Sequence, residues 1–160
     1  MNIHEKYDEY QKYIGFLKSD VCEQKYFKKI REIIHQRQLV SFMNDSKWIK
    51  LLHEVEQLKF EPAFIAKRLT EKTDIEYEQN FCNKIPYYLG NWQPFYKEAM
   101  PIFLDIEYVL VQPRLTKYQG RLVNDLIIDI SEQFNAVLIE LNIPYVMEQQ
   151  CFKIMAYQAA

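Results

Sequence analysis

The sequence predicts an α+β fold, with N-terminal helices followed by a mainly antiparallel sheet and one helix packed on it. Three observations carry this expectation. Apolar residues recur at helical spacing as far as Leu58. From Phe64 onward, short β-branched and aromatic runs broken by proline and glycine replace them. The order is helices, then strands interrupted by one helical stretch, without the regular alternation that builds a parallel sheet. A chain of 160 residues fits one domain, read here as residues 1–160 with residues 1–19 as an N-terminal helical extension.

In the first helix Ile3, Tyr7, Tyr10, Ile14 and Leu17 are spaced by fours and threes, one face of an amphipathic helix. That face predicts an intramolecular hairpin; a dimer seam is the alternative, and two heptads are too few to define a coiled coil. Ser19-Asp20 offers a cap for a second helix. Its stripe is Tyr26, Phe27, Ile30, Ile33 and Ile34, and it runs on as far as Val40 or Phe42. A third helix follows Asn44-Asp45-Ser46, with Asp45 as N-cap and Trp48, Leu51, Leu52, Val55 and Leu58 facing inward. Pro62 closes it.

The residues from Phe64 to Thr70 read as a strand. Asp74 to Glu78 alternates acid and apolar, which predicts an exposed edge strand or an ordered loop. Residues 80–101 hold Pro86, Gly90, Pro94 and Pro101 among many aromatics, the composition of a long irregular connection. Phe103 to Gln112 is the clearest strand, stopped by Pro113. A turn at Gly120, with positive φ, leads to a return strand from Leu122 to Ile128. Ser131 caps a helix with Phe134, Val137, Leu138 and Leu141 inward, and Tyr145 to Glu148 with Cys151 to Tyr157 forms a last hairpin around Gln149-Gln150.

Composition excludes several functions. The formal net charge of -2 provides no basic excess for phosphate neutralisation, so no nucleic-acid partner is expected. Residues 61–160 carry 13 acids against 9 bases and are mildly acidic. The three glycines, Gly15, Gly90 and Gly120, are isolated, which removes glycine-rich phosphate loops. His4, His35 and His53 have no metal-ligand spacing, and no nucleophile motif occurs. No cofactor, metal site or catalytic residue is assigned. Cys22, Cys82 and Cys151 are odd in number and far apart, as expected of free thiols in a reducing compartment. With no apolar core in the first ten residues and no membrane-length run, the chain is expected in the cytoplasm.

Two features point to binding. One is the acidic segment Glu71, Asp74, Glu76 and Glu78. The other is the aromatic loop with Tyr87, Tyr88, Trp92, Phe95 and Tyr96. Acids beside large amphipathic anchors have the composition of a protein-binding hot spot; aromatics covering a sheet, with solvated acids, are the plainer reading. Asp105 and Glu107 lie two apart, on one face of a strand. Paired carboxylates can hold a metal or move protons, but a solvated face is expected, with Ile106, Tyr108 and Leu110 toward the core. Arg114 and Arg121 are expected to pair with Asp105, Glu107 or Asp125.

The segment Leu39 to Trp48, with Ser41-Phe42-Met43-Asn44-Asp45-Ser46-Lys47-Trp48 at its centre, resembles a bacterial family of small uncharacterised proteins that carry a similar SFMNDTKW stretch ahead of a helix. Ser46 stands where threonine is usual. The resemblance continues through Ile106-Glu107-Tyr108, Pro113-Arg114, Gly120 to Val123, Ile143-Pro144-Tyr145 and Phe152-Lys153-Ile154, or residues 34–157. It assigns no role to Asn44, Asp45, Lys47 and Trp48 beyond a structural motif. In size and style the family is similar to immunity proteins of toxin systems. The expected function is therefore a cytoplasmic protein, monomeric or homodimeric, that binds a toxin domain of basic charge. The alternatives are a small enzyme built around Asp105, Glu107 and Arg114, or a structural or regulatory homodimer.

Overall fold

The computed structural model describes residues 1–96 and 98–160. Five α-helices are seen among them: α1 (Ile3–Lys18), α2 (Val21–Gln36), α3 (Asp45–Glu56), α4 (Ile75–Asn83) and α5 (Ser131–Glu140). The strands are β1 (Leu39–Ser41), β2 (Ala63–Arg68), β3 (Ile106–Gln112), β4 (Arg114–Lys117), β5 (Leu126–Asp129), β6 (Tyr145–Glu148), β7 (Cys151–Met155) and β8 (Tyr157–Ala159). β2-β3-β7-β6 form the main sheet; β1 pairs with β8 and β4 with β5, every pairing antiparallel. The α+β expectation holds.

β3 is the centre of the sheet and is covered on both faces. Val109 and Val111, opposite Ile154 and Phe152, join the main core with Trp48, Leu51, Val55, Phe134 and Leu138. Tyr108 and Leu110 point the other way, into a small second cluster with Cys82 and Cys151. A strand buried on both sides needs no polar face, which accounts for its unbroken apolar run.

α1 is part of this core although its sequence reads as an extension. Tyr10 and Leu17 are buried, and the Tyr10 hydroxyl accepts a hydrogen bond from the Phe103 N–H at 2.9 Å. Ile3, Tyr13 and Ile14 pack on the same cluster. The apolar stripe is thus used within the chain, which leaves little of it for a dimer seam.

Several expectations need correction. α2 stops at Gln36 because Gln38 turns left-handed, with φ 52°; a short strand follows. Asn44, one residue earlier than expected, caps α3 by accepting the Lys47 N–H at 2.8 Å. Asp45 is the first helical residue, where a negative charge favours the positive end of the helix. Asp74 to Glu78 is neither strand nor loop: Asp74 accepts the Tyr77 N–H at 3.1 Å and starts α4. Ser131 opens α5 from inside the helix, its N–H donating to Asp129 at 2.8 Å. The return strand is shorter than expected, since Leu122 is fully exposed and pairing begins at Leu126. Gly120 has φ 132°, as the turn requires.

Among the described residues no helix is long and apolar enough to cross a membrane. All three cysteines are free, Cys22 at the surface and the other two buried.

Candidate functional site

α4 and the loop behind it form the most distinctive surface of the chain. The helix starts with acids, Asp74 as cap and Glu76 and Glu78 in the first turn. Its last turn is anchored by Cys82, buried against Cys151 and Leu110. The amide of Gln112, a wholly buried polar side chain on β3, donates to the carbonyls of Cys82 at 3.1 Å and Lys84 at 3.2 Å. Thr116 on β4 then holds the loop, its hydroxyl donating to the Ile85 carbonyl at 3.3 Å and its N–H to the Pro86 carbonyl at 2.8 Å. The end of the helix and the loop are therefore fixed at four points, two on β3 of the main sheet and two on β4 of the β4-β5 pair.

Between them is a cleft of about 340 Å³ lined by Tyr77, Asn80, Phe81, Lys84, Ile85, Pro86, Tyr87 and Tyr88. Tyr77, Tyr87 and Tyr88 are 56%, 68% and 59% exposed. Three tyrosines on a rigid support present apolar area at low conformational cost and keep a polar tip in water. The Tyr87 hydroxyl donates to Asp125 at 3.0 Å, and that hydrogen bond raises its pKa. Partial burial raises that of Tyr88, with a smaller contribution from Tyr77. Both phenols stay neutral hydrogen-bond donors at physiological pH.

The binding residues read from the sequence divide in the structure. Glu71, Asp74 and Glu76 are exposed on and beside α4. Glu78 turns inward and accepts the Tyr108 hydroxyl at 2.8 and 2.7 Å. Burial, then this carboxylate, pushes the Tyr108 phenol well above its ordinary range. Tyr87 and Tyr88 line the cleft. Trp92 does not: it is 2% exposed, its indole N–H donates to the Pro62 carbonyl at 2.7 Å, and its ring packs on Phe64 at 4.5 Å. The reason is a close backbone approach: Gly90 lets the loop press against Pro62, where a Cβ would lie 2.1 Å from the carbonyl oxygen. Tyr96 is exposed but belongs elsewhere, beside Phe95, which meets Tyr13 of α1 edge-on at 5.7 Å. Tyr77 joins the surface unforeseen; a residue of a supposed strand face drew no attention, though the cap-like Asp74 ahead of acids was a helix-start signal.

The motif residues are structural in most of their contacts. Asn44 is the cap, Lys47 donates to the Asn142 carbonyl at 2.8 Å, and Trp48 is 2% exposed and stacks on Phe103 at 5.6 Å. Asp45 accepts from Gln11 at 3.0 Å.

The carboxylate pair is not a solvated strand face. Asp105 is 0% exposed, in a short 3-10 turn (Phe103–Asp105) before β3. It accepts from Arg68 at 2.8 Å, from the Thr70 N–H at 3.2 Å and hydroxyl at 3.0 Å, and from the Tyr26 hydroxyl. Glu107 accepts two hydrogen bonds from Arg37 at 3.0 and 3.1 Å and one from Lys67 at 2.8 Å. Burial alone would raise the Glu107 pKa; the bonds from Arg37 and Lys67 outweigh it and hold it below the usual range. Arg114 pairs with neither acid and donates instead to the Gln112 side chain at 3.0 Å. The two carboxylates fasten α2 and β2 to the start of β3, and neither lines the tyrosine cleft. No group of three or more His, Cys, Asp or Glu that could hold a metal occurs among the described residues.

Fold and surface together define an α+β domain with a central antiparallel sheet and an aromatic cleft outside it, formed by α4 and the loop that follows. The chain belongs to the family of unknown function DUF6678, whose model matches residues 30–160. The matched region begins inside α2 and takes in the motif, the sheet and the cleft. No curated protein and no solved structure matches the chain.

Proposed function

We propose that this protein is a cytoplasmic binding domain of the immunity type, which covers and blocks a toxin domain of basic charge. The observation that carries the reading is the pre-formed cleft with three exposed tyrosines, whose helix α4 begins with the exposed acids Asp74 and Glu76; Glu71 lies just ahead of it, and Lys84 is the one charged residue in the lining. Tyrosines are enriched among residues that dominate binding energy, and a patch of one charge speeds encounter with the opposite one. The loop's anchoring on Gln112 and Thr116 supports it further, since a rigid paratope loses little freedom on binding. The enzyme reading draws no support from Asp105, Glu107 and Arg114, because the acids are spent on structural ion pairs and the arginine lies apart from them.

The test uses two baits in extracts of the source cell, the native chain and the variant Tyr77→Ala/Tyr87→Ala/Tyr88→Ala. All three side chains are exposed, so the variant should keep its unfolding midpoint. A protein retained by the native chain and lost by the variant, which stops growth when expressed alone and is tolerated on co-expression, is the expected result. The same proteins on both baits would remove this face from the account. A specific partner that is harmless on its own would leave a binding domain without the immunity role.

A further inference from the structure

A cavity larger than the tyrosine cleft lies elsewhere among the described residues, and the binding role above does not use it. About 650 Å³ in volume, it is walled by Tyr7 and Gln11 of α1, Ile34 of α2, Leu39 and Ser41 of β1, and Leu104 and Tyr157 below, with Met43, Asn44, Asp45, Ser46 and Trp48 on one side. Six of the eight residues from Ser41 to Trp48 thus contribute to one cavity. Its volume falls in the range of small-molecule sites.

The charge of the walls is one-sided. Asp45 is the one ionised side chain among the lining residues. Its hydrogen-bond partner is a neutral amide, Gln11 Nε2 at 3.0 Å. Lys47, two residues away, donates to the Asn142 carbonyl, Arg37 pairs with Glu107, and Lys6 with His53 and Glu56. The field of Asp45 reaches Tyr157 of the lining, whose pKa is raised first by burial, then by Asp105 and by Asp45, and Tyr10 behind it, raised by burial and, less, by Asp45. Neither phenol can neutralise it. The positive end of α3 explains why a carboxylate is tolerated at its first residue. It does not explain an open cavity beside that carboxylate with aromatic and aliphatic walls.

We propose that this cavity binds a small organic cation, an ammonium or guanidinium head on an apolar stem. The head pairs with Asp45, hydrogen-bonded also by the hydroxyls of Ser46 or Tyr7, and the stem lies along Ile34, Leu39 and Leu104. The ring of Tyr7, the exposed tyrosine of the lining, adds cation–π attraction. A charge-assisted hydrogen bond of this kind is about twice as strong as a neutral one, so charge should decide the selectivity.

Trp48 lines the cavity and Trp92 does not, so the two indole N–H signals of the full-length protein report separately. Butylguanidinium is the probe, with neutral butylurea and anionic pentanoate as controls of matched length. The expected result is a saturable shift of the Trp48 signal with butylguanidinium alone. Asp45→Asn keeps the bond to Gln11 and should weaken binding about tenfold or more. Gln11→Lys supplies a tethered ammonium to Asp45 and should abolish binding while the protein stays folded; it serves as an independent variant should Asp45→Asn unfold. Tighter binding of butylguanidinium than of a capped Ala-Arg-Ala peptide assigns a free molecule as the source, and the reverse order assigns an arginine of a partner; both uphold the cation site. Equal binding of butylurea or pentanoate, unchanged affinity in both variants, or no saturable shift with any probe would overturn it.

Discussion

Replacing Asp105 by alanine is expected to cost about 3 kcal/mol or more of stability. The carboxylate is wholly buried and serves four donors, from Arg68, Tyr26 and the backbone and hydroxyl of Thr70. Its loss takes the closest carboxylate from the Arg68 guanidinium, which keeps the exposed Glu71 at 3.5 Å, and an acceptor from two hydroxyls and an N–H. Removing one partner of a buried ion pair costs more than the pair contributes, because the remaining charge is uncompensated. Arg68 is 29% exposed, so some of its charge can reach water, which places the effect toward the lower end of the usual range. Urea melts should show a lower midpoint with an unchanged slope. A variant as stable as the parent would mean that α2 and β2 are held to the sheet without this junction.

Trp48→Ala should cost about 3–5 kcal/mol. The indole is 2% exposed, stacks on Phe103 and joins α3 to the core that Tyr10, Val109 and Val111 also fill. Truncation removes the largest of the fully buried side chains and widens the cavity that it already lines. Relaxation is limited, because Phe103 is also held through its N–H by Tyr10. The same melts measure it, and unchanged stability would show that Trp48 is placed for a ligand alone.

These two residues mark how far the sequence could be read. Trp48 lies on a helical stripe behind a cap, and period and capping are both local signals, so its burial was legible. So were the α+β class, the helical faces of α1, α2, α3 and α5, and β3 with its terminating Pro113. Asp105 was misread because strand alternation was extended one turn too early. The 3-10 turn before β3 breaks the period, and its partners Tyr26 and Arg68 are distant in sequence. α4 was misread for a related reason. Over the five residues from Asp74 to Glu78, alternation looks like a strand, while the one buried residue of the helix, Cys82, lies further on. Helix capping by Asp74 decides the conformation, and it moves Tyr77 onto the surface with Tyr87 and Tyr88.

The candidate surface was legible in composition and not in geometry. Composition grouped the acids and aromatics as binding candidates, yet which of them share a face depends on Gly90 drawing Trp92 inward and on Gln112 and Thr116 fixing the loop. Neither the close approach nor the anchoring has a local signature. The hinge motif is a similar case. Its sequence predicts a helix start, but that most of it walls one cavity follows from the packing of α1 and β8 against it.

The central claim is that α4 and its tyrosine loop meet a basic partner, and association kinetics with the captured partner test it most directly. Glu71→Lys/Glu76→Lys is the suitable variant, since both acids are exposed, the surface pair of Glu71 with Arg68 at 3.5 Å contributes little, and Asp74 must be spared as the cap of α4. The account predicts association slower by about tenfold at low salt, a flatter dependence of the on-rate on ionic strength, and little change in dissociation or stability. Identical association rates for variant and parent across the salt series would contradict it.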